Sequence, residues 1–115
     1  MIRALRKVMN KISEADWKVF KAIKIKAIEG FCNKALSDFE EVIRDKTRGS
    51  HETYAHLYGL VQNRDKLMAL IFDGQSRSKA SFQLLAMRGE GLVSKELLEQ
   101  LSEEFLEQSD PTLLS

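Results

Sequence analysis

Proline is almost missing from this chain: Pro111 is the only one in 115 residues. Proline fixes φ and removes a backbone N–H, so its scarcity leaves everything before residue 111 free to run in long helices. Cysteine is equally rare. Cys32 stands alone, which excludes an internal disulfide and any multi-cysteine metal site, and fits a reducing, cytoplasmic setting. No apolar run approaches the ~20 residues that a membrane-crossing helix needs. The opening MIRALRKVMNKI is basic but lacks the continuous apolar stretch of a secretory signal.

Catalytic signatures are missing too. No serine sits in a Gly-x-Ser-x-Gly elbow, and Gly89-Glu90-Gly91 is only a fragment of a phosphate loop, following no strand. Cys32 has no base placed beside it and reads as a small core residue. His51-Glu52-Thr53-Tyr54-Ala55-His56 invites comparison with the zinc-protease pattern, but three residues rather than two separate Glu52 from His56. On a 3.6-residue helix the two imidazoles then point ~140° apart, and one zinc cannot take both. The sequence therefore predicts no catalytic residue, no metal site and no cofactor.

What is present is a folded, polar chain with a hidden charge dipole. A composition of 43% hydrophobic and 30% charged residues belongs to a globular protein, and the length suits one domain. The formal net charge is only +1, yet residues 1–26 carry +6 and residues 89–115 carry −6. No internal repeat or low-complexity tract interrupts the pattern.

Hydrophobic periodicity predicts an all-α fold. Residues 1–12 read as a basic amphipathic arm, with Ile2, Leu5 and Met9 on one side and Arg3, Arg6, Lys7 and Lys11 mostly on the other. Ser13 looks like an N-cap, with Glu14 and Asp16 in the first turn where the helix dipole favours anions. A long helix is expected over 14–47, closed by Gly49. A second is expected over 51–88, with Ser50 able to cap it and a stripe through Tyr54, Leu57, Tyr58, Val61, Met68, Ile71 and Phe72. Its weak point is 73–81, where Gly74 marks the place it would break. Continuity is preferred because the two helices then match at ~51 and ~57 Å. Joined near Gly49, they make a long antiparallel hairpin. Ser94 announces an acidic third helix over 95–108, and 109–115 reads as a frayed tail.

Apolar residues beside the main stripes, Leu60, Leu67 and Leu70 among them, call for a further layer, so the hairpin is expected to dimerise into a four-helix bundle. Three polar residues interrupt or flank the stripes: Lys24, Asp65 and Asp73. Lys24 falls roughly opposite Asp73, where an ion pair would set register. Gly59 falls near Phe39 and would make room for its ring. The expected function is that of a small non-enzymatic interaction or regulatory module with a protein partner. Its contact end would gather Arg3, Arg6, Lys7 and Lys11 with Glu99, Glu103 and Glu104. The alternative is a nucleic-acid-binding accessory protein whose basic segment the acidic helix masks. The absence of recognition-motif spacing and the near-neutral balance make it the less favoured reading. An enzyme site would instead need Lys24, His56, Asp65 and a tyrosine gathered in one pocket.

Overall fold

The computed structural model describes residues 12–114, and over them the fold is all-α with no strand. The first helix, α1 (Glu14–Arg44), has 31 residues and buries Trp17, Phe20, Ile23, Ala27, Phe31 and Ala35 at helical spacing. It starts as the residue types dictate. Ser13 Oγ accepts the Asp16 N–H at 3.1 Å and the Ser13 carbonyl accepts the Trp17 N–H at 2.9 Å. That is an N-cap, with two acids behind it in the first turn.

α1 ends earlier than the expected residue 47. Asp45 Oδ1 accepts the backbone N–H of Thr47 at 2.9 Å and its hydroxyl at 2.7 Å, a local turn that competes with further helix. These bonds from Thr47 hold the Asp45 carboxyl below its ordinary pKa. Gly49 is not the stop of α1. It is the N-cap of α2 (Ser50–Phe72), in an extended conformation.

The expected continuous helix over 51–88 is broken. α2 ends at Phe72, Asp73 closes it, and Gly74 turns the chain with φ of 78°. A 3₁₀ turn (Arg77–Lys79) and α3 (Ala80–Gly89) follow. Two physical causes act together. The 73–79 stretch offers no apolar side chain to anchor a helical face. The Gly74 carbonyl, which a continuous helix would bond to residue 78, instead accepts Lys24 Nζ at 2.7 Å and Gln83 Nε2 at 3.5 Å.

The expected helix over 95–108 is likewise two pieces, α4 (Lys95–Leu98) and α5 (Glu103–Gln108). Ser94 caps α4 as the sequence predicts, its hydroxyl accepting the Leu97 N–H. Ser102 caps α5, accepting the Phe105 N–H at 3.2 Å. Glu103 and Glu104 consequently stand in a first turn, where the dipole favours them. The tail is not frayed through residue 114. Ser109 is fully buried, and Pro111–Leu114 forms a 3₁₀ turn.

Contacts divide the chain into two compact units. One comprises the described residues up to Ala27 together with those from Gly74 onward. Its core is well filled: Phe20, Ile23, Ala27, Ala80, Leu84 and Met87 are completely enclosed, and Phe105 nearly so. Phe20 stacks on Trp17 at 5.6 Å between centroids and meets Phe105 edge-on at 6.3 Å. Three polar clamps close it. Buried Asp16 accepts the Ser102 N–H at 2.8 Å and the Ser102 hydroxyl at 2.5 Å. Arg88 donates to the Leu106 carbonyl at 2.8 Å and to Ser109 Oγ at 3.0 Å. Arg77 pairs with Glu14 and lies over the Trp17 ring at 5.2 Å.

The other unit, Ile28–Asp73, is the antiparallel hairpin of the second half of α1 and all of α2. Its core is thin. Only Phe31, Ala35, Ile71 and Phe72 are buried among its described side chains. Phe31 and Phe72 meet edge-on at 5.9 Å at the open end.

Candidate functional site

The hairpin carries the candidate site, because two helices alone cannot cover apolar faces this wide. On α2 the half-buried Leu57, Leu60, Arg64 and Leu67 recur at intervals of three, four and three. The neighbouring stripe, Tyr54, Tyr58, Val61, Asp65 and Met68, recurs at four, three, four and three, which places all five within one sector of the helix. Tyr54 and Tyr58, expected on the buried stripe, are 71% and 59% exposed, and Val61 is 44% exposed. On α1, Leu36 and Ile43 lie one heptad apart and are likewise exposed.

Between the helices lies a concavity of about 290 Å³. Phe31, Ala35, Leu36 and Phe39 line it from α1, and Val61 and Met68 from α2. Cys32 is also part of the wall, half-buried, where the sequence predicted a small core residue. The polar groups sit at its margin. Arg64 pairs with Asp38 at 3.4 Å, both about one-third exposed, and Asp65 lies exposed beside them. A second concavity, of about 300 Å³, near the turn joins Ile43 to Tyr54. The whole face is apolar with a charged rim, and the hairpin holds eight acidic against six basic residues, a net −2.

The other residues singled out by sequence fall on several elements. Lys24 is 9% exposed in the first unit and is engaged by the Gly74 carbonyl. Asp73 is the exposed C-cap of α2. His51, Glu52 and His56 are exposed on the first turns of α2. His56 and Asp65 lie two and a half turns apart on one helix, ~13 Å along the axis. Glu99, Glu103 and Glu104 are exposed around α4 and α5. Of these, Glu104 borders a polar hollow with Asp16 and Ser102. Arg3, Arg6, Lys7 and Lys11, with the expected arm, lie outside the described residues. Gly59 does not make room for a ring: a methyl there would meet nothing within 4 Å.

Among the described residues no group of three or more His, Cys, Asp and Glu is placed to hold a metal, and no helix is long and apolar enough to cross a membrane. Sequence reasoning missed the roles of Asp16, Arg88 and the Tyr58 stripe. The first two depend on partners far along the chain and left no local signal. The third was visible in the four-three spacing, but periodicity alone cannot say which of two adjacent stripes faces the partner helix. Comparison with models of protein families, with curated proteins and with solved structures finds no match.

Proposed function

We propose that this protein is a small, non-enzymatic helical interaction module whose contact surface is the apolar face of the Ile28–Asp73 hairpin. The observation that carries this reading is the row of large side chains left in water there: Leu36, Ile43, Tyr54, Tyr58 and Val61. Scattered exposed apolar residues are ordinary, but a contiguous row along both helices marks an interaction surface. Tyrosine suits such a surface because it brings a large contact area, a polar tip and little rotamer entropy. Two exposed tyrosines on one sector of α2 are therefore natural anchors. The acidic residues Glu99, Glu103 and Glu104, exposed on short helices, support a contact less well, since exposed ion pairs contribute little and weaken with salt.

The test is photocrosslinking of the full chain in living cells. A photoreactive side chain at Tyr58 lies on the apolar face, and one at Asn63 lies on the opposite side of α2, also exposed. The expected result is protein adducts, a second copy of this chain included, at position 58 and not at 63. Equal adduct patterns at both positions, or none at 58, would refute the assignment of this face.

A further inference from the structure

Resting on that reading, we infer that the hairpin face is occupied by a second copy of this chain, docked about a two-fold axis that crosses the hairpin at Val61 and Phe39. Three observations lead there.

The first is size. α2 has 23 residues and runs ~34 Å, and the hairpin part of α1, residues 28–44, runs ~25 Å, each ~10 Å wide. The resulting ~600 Å² approaches the ~800 Å² that each partner of a stable complex contributes. A single docked helix would leave a large part of it wet.

The second is the order of side chains along the face. An isologous contact requires that the pattern read nearly the same in both directions. Reversed about Val61, the α2 stripe falls on itself: Tyr54 meets Met68 of the second copy, one heptad to either side of the axis, and Val61 meets its own counterpart. On α1, Leu36 and Ile43 are also one heptad apart, with Phe39 near their midpoint. Phe39 and Val61 share the wall of the same concavity. One axis therefore serves both helices, pairing Leu36 with Ile43 of the second copy. It also sets the hairpins antiparallel, so that each helix faces an antiparallel counterpart with opposed dipoles.

The third is the charge in the stripe. Asp65 lies one turn from Val61 on one side, and Tyr58 lies one turn away on the other. The two-fold brings Tyr58 of one copy beside Asp65 of the other, twice. The phenol O–H donates to the carboxylate, and a misplaced register would leave that carboxylate against Met68 or Val61. Asp65 thus fixes the alignment, the best-attested use of a polar residue in a helical seam.

The experiment is sedimentation equilibrium on the full chain, with Val61→Glu and Val61→Lys variants checked for helicity by circular dichroism. Wild type is expected to be a dimer. Each charged variant places like charges together on the axis and should dimerise ~100-fold more weakly or worse. Their equimolar mixture should restore a dimer, seen as the mixed species in native mass spectrometry. As a second readout, Val61→Cys in a Cys32→Ser background should form an intersubunit disulfide on oxidation, and Asn63→Cys in that background should not. A monomeric wild type, or two charged variants that dimerise like wild type, would overturn the inference. A monomeric wild type that still crosslinks another protein from position 58 would overturn this inference alone and leave the interaction module standing. Loss of both signals would overturn both.

Discussion

Removing the carboxylate of Asp16 should loosen the whole C-terminal half of the first unit. Asp16 is 5% exposed and receives two bonds from Ser102, 2.8 Å from the amide and 2.5 Å from the hydroxyl. A hydrogen bond to a charged group contributes ~1.5–3 kcal/mol, and the exposed Ser102 donors can turn to water once the carboxylate is gone. Because both bonds end on one residue they do not add fully, and Asp16→Ala should cost about 3 kcal/mol. In a chain of this length that lowers the melting temperature by about 10 °C. Asp16→Asn keeps one acceptor oxygen and should cost about half as much. Ser102→Ala removes the hydroxyl bond to Asp16 and also the cap on Phe105, about 2 kcal/mol together. Trp17, the only tryptophan, adjoins Asp16 in sequence and is nearly buried in the same unit. Urea titrations followed by its fluorescence therefore report on this clamp, provided that protein concentration is held fixed. The double variant should show a coupling of at least ~1 kcal/mol between the two positions. Additive effects within about 0.5 kcal/mol, or an Asp16→Ala variant as stable as wild type, would refute the clamp.

The ion pair at the start of α1 gives a pH dependence of known sign. The hydrogen bond from Arg77, and then its charge, hold the Glu14 carboxyl below its ordinary value of 4.5 and raise the Arg77 pKa. Since the folded pKa lies below the unfolded one, the contribution is present above the ordinary carboxylate range and is lost as pH falls through the folded value. An NMR titration should place the Glu14 midpoint lower in wild type than in Arg77→Ala. The stability gap between the two proteins should narrow below pH 4.5, and identical midpoints would show that the pair does not persist in water. Two glycines should respond oppositely to alanine. Gly59→Ala puts a methyl into open space within α2 and should stabilise by ~1 kcal/mol. Gly74→Ala also meets open space, but at φ of 78°, and should destabilise by ~1–2 kcal/mol. Thermal melts of both variants check the signs.

The sequence by itself determined the helical class, the cap at Ser13, the cap at Ser94 and the hairpin. Each follows from interactions within one or two turns: a hydroxyl reaching an N–H three residues on, or an apolar residue recurring every third or fourth position. Lys24 stands out in the sequence as a charge in an apolar stripe, because it conflicts locally with its neighbours, and it is 9% exposed in the structure. One acceptor that Lys24 takes was not legible locally. A turn at Gly74, fifty residues away in the chain, presents the carbonyl that Lys24 takes, and that same bond helps to end α2. Ser102 divides the acidic helix for the same kind of reason, since its amide and hydroxyl are claimed by Asp16. Tertiary structure alone decided these breaks, because a backbone group has a fixed number of hydrogen bonds and a distant side chain can claim one before the next helical turn does. It also decided which stripe of α2 faces its own chain and which is left exposed, a choice between adjacent helical sectors that periodicity cannot make.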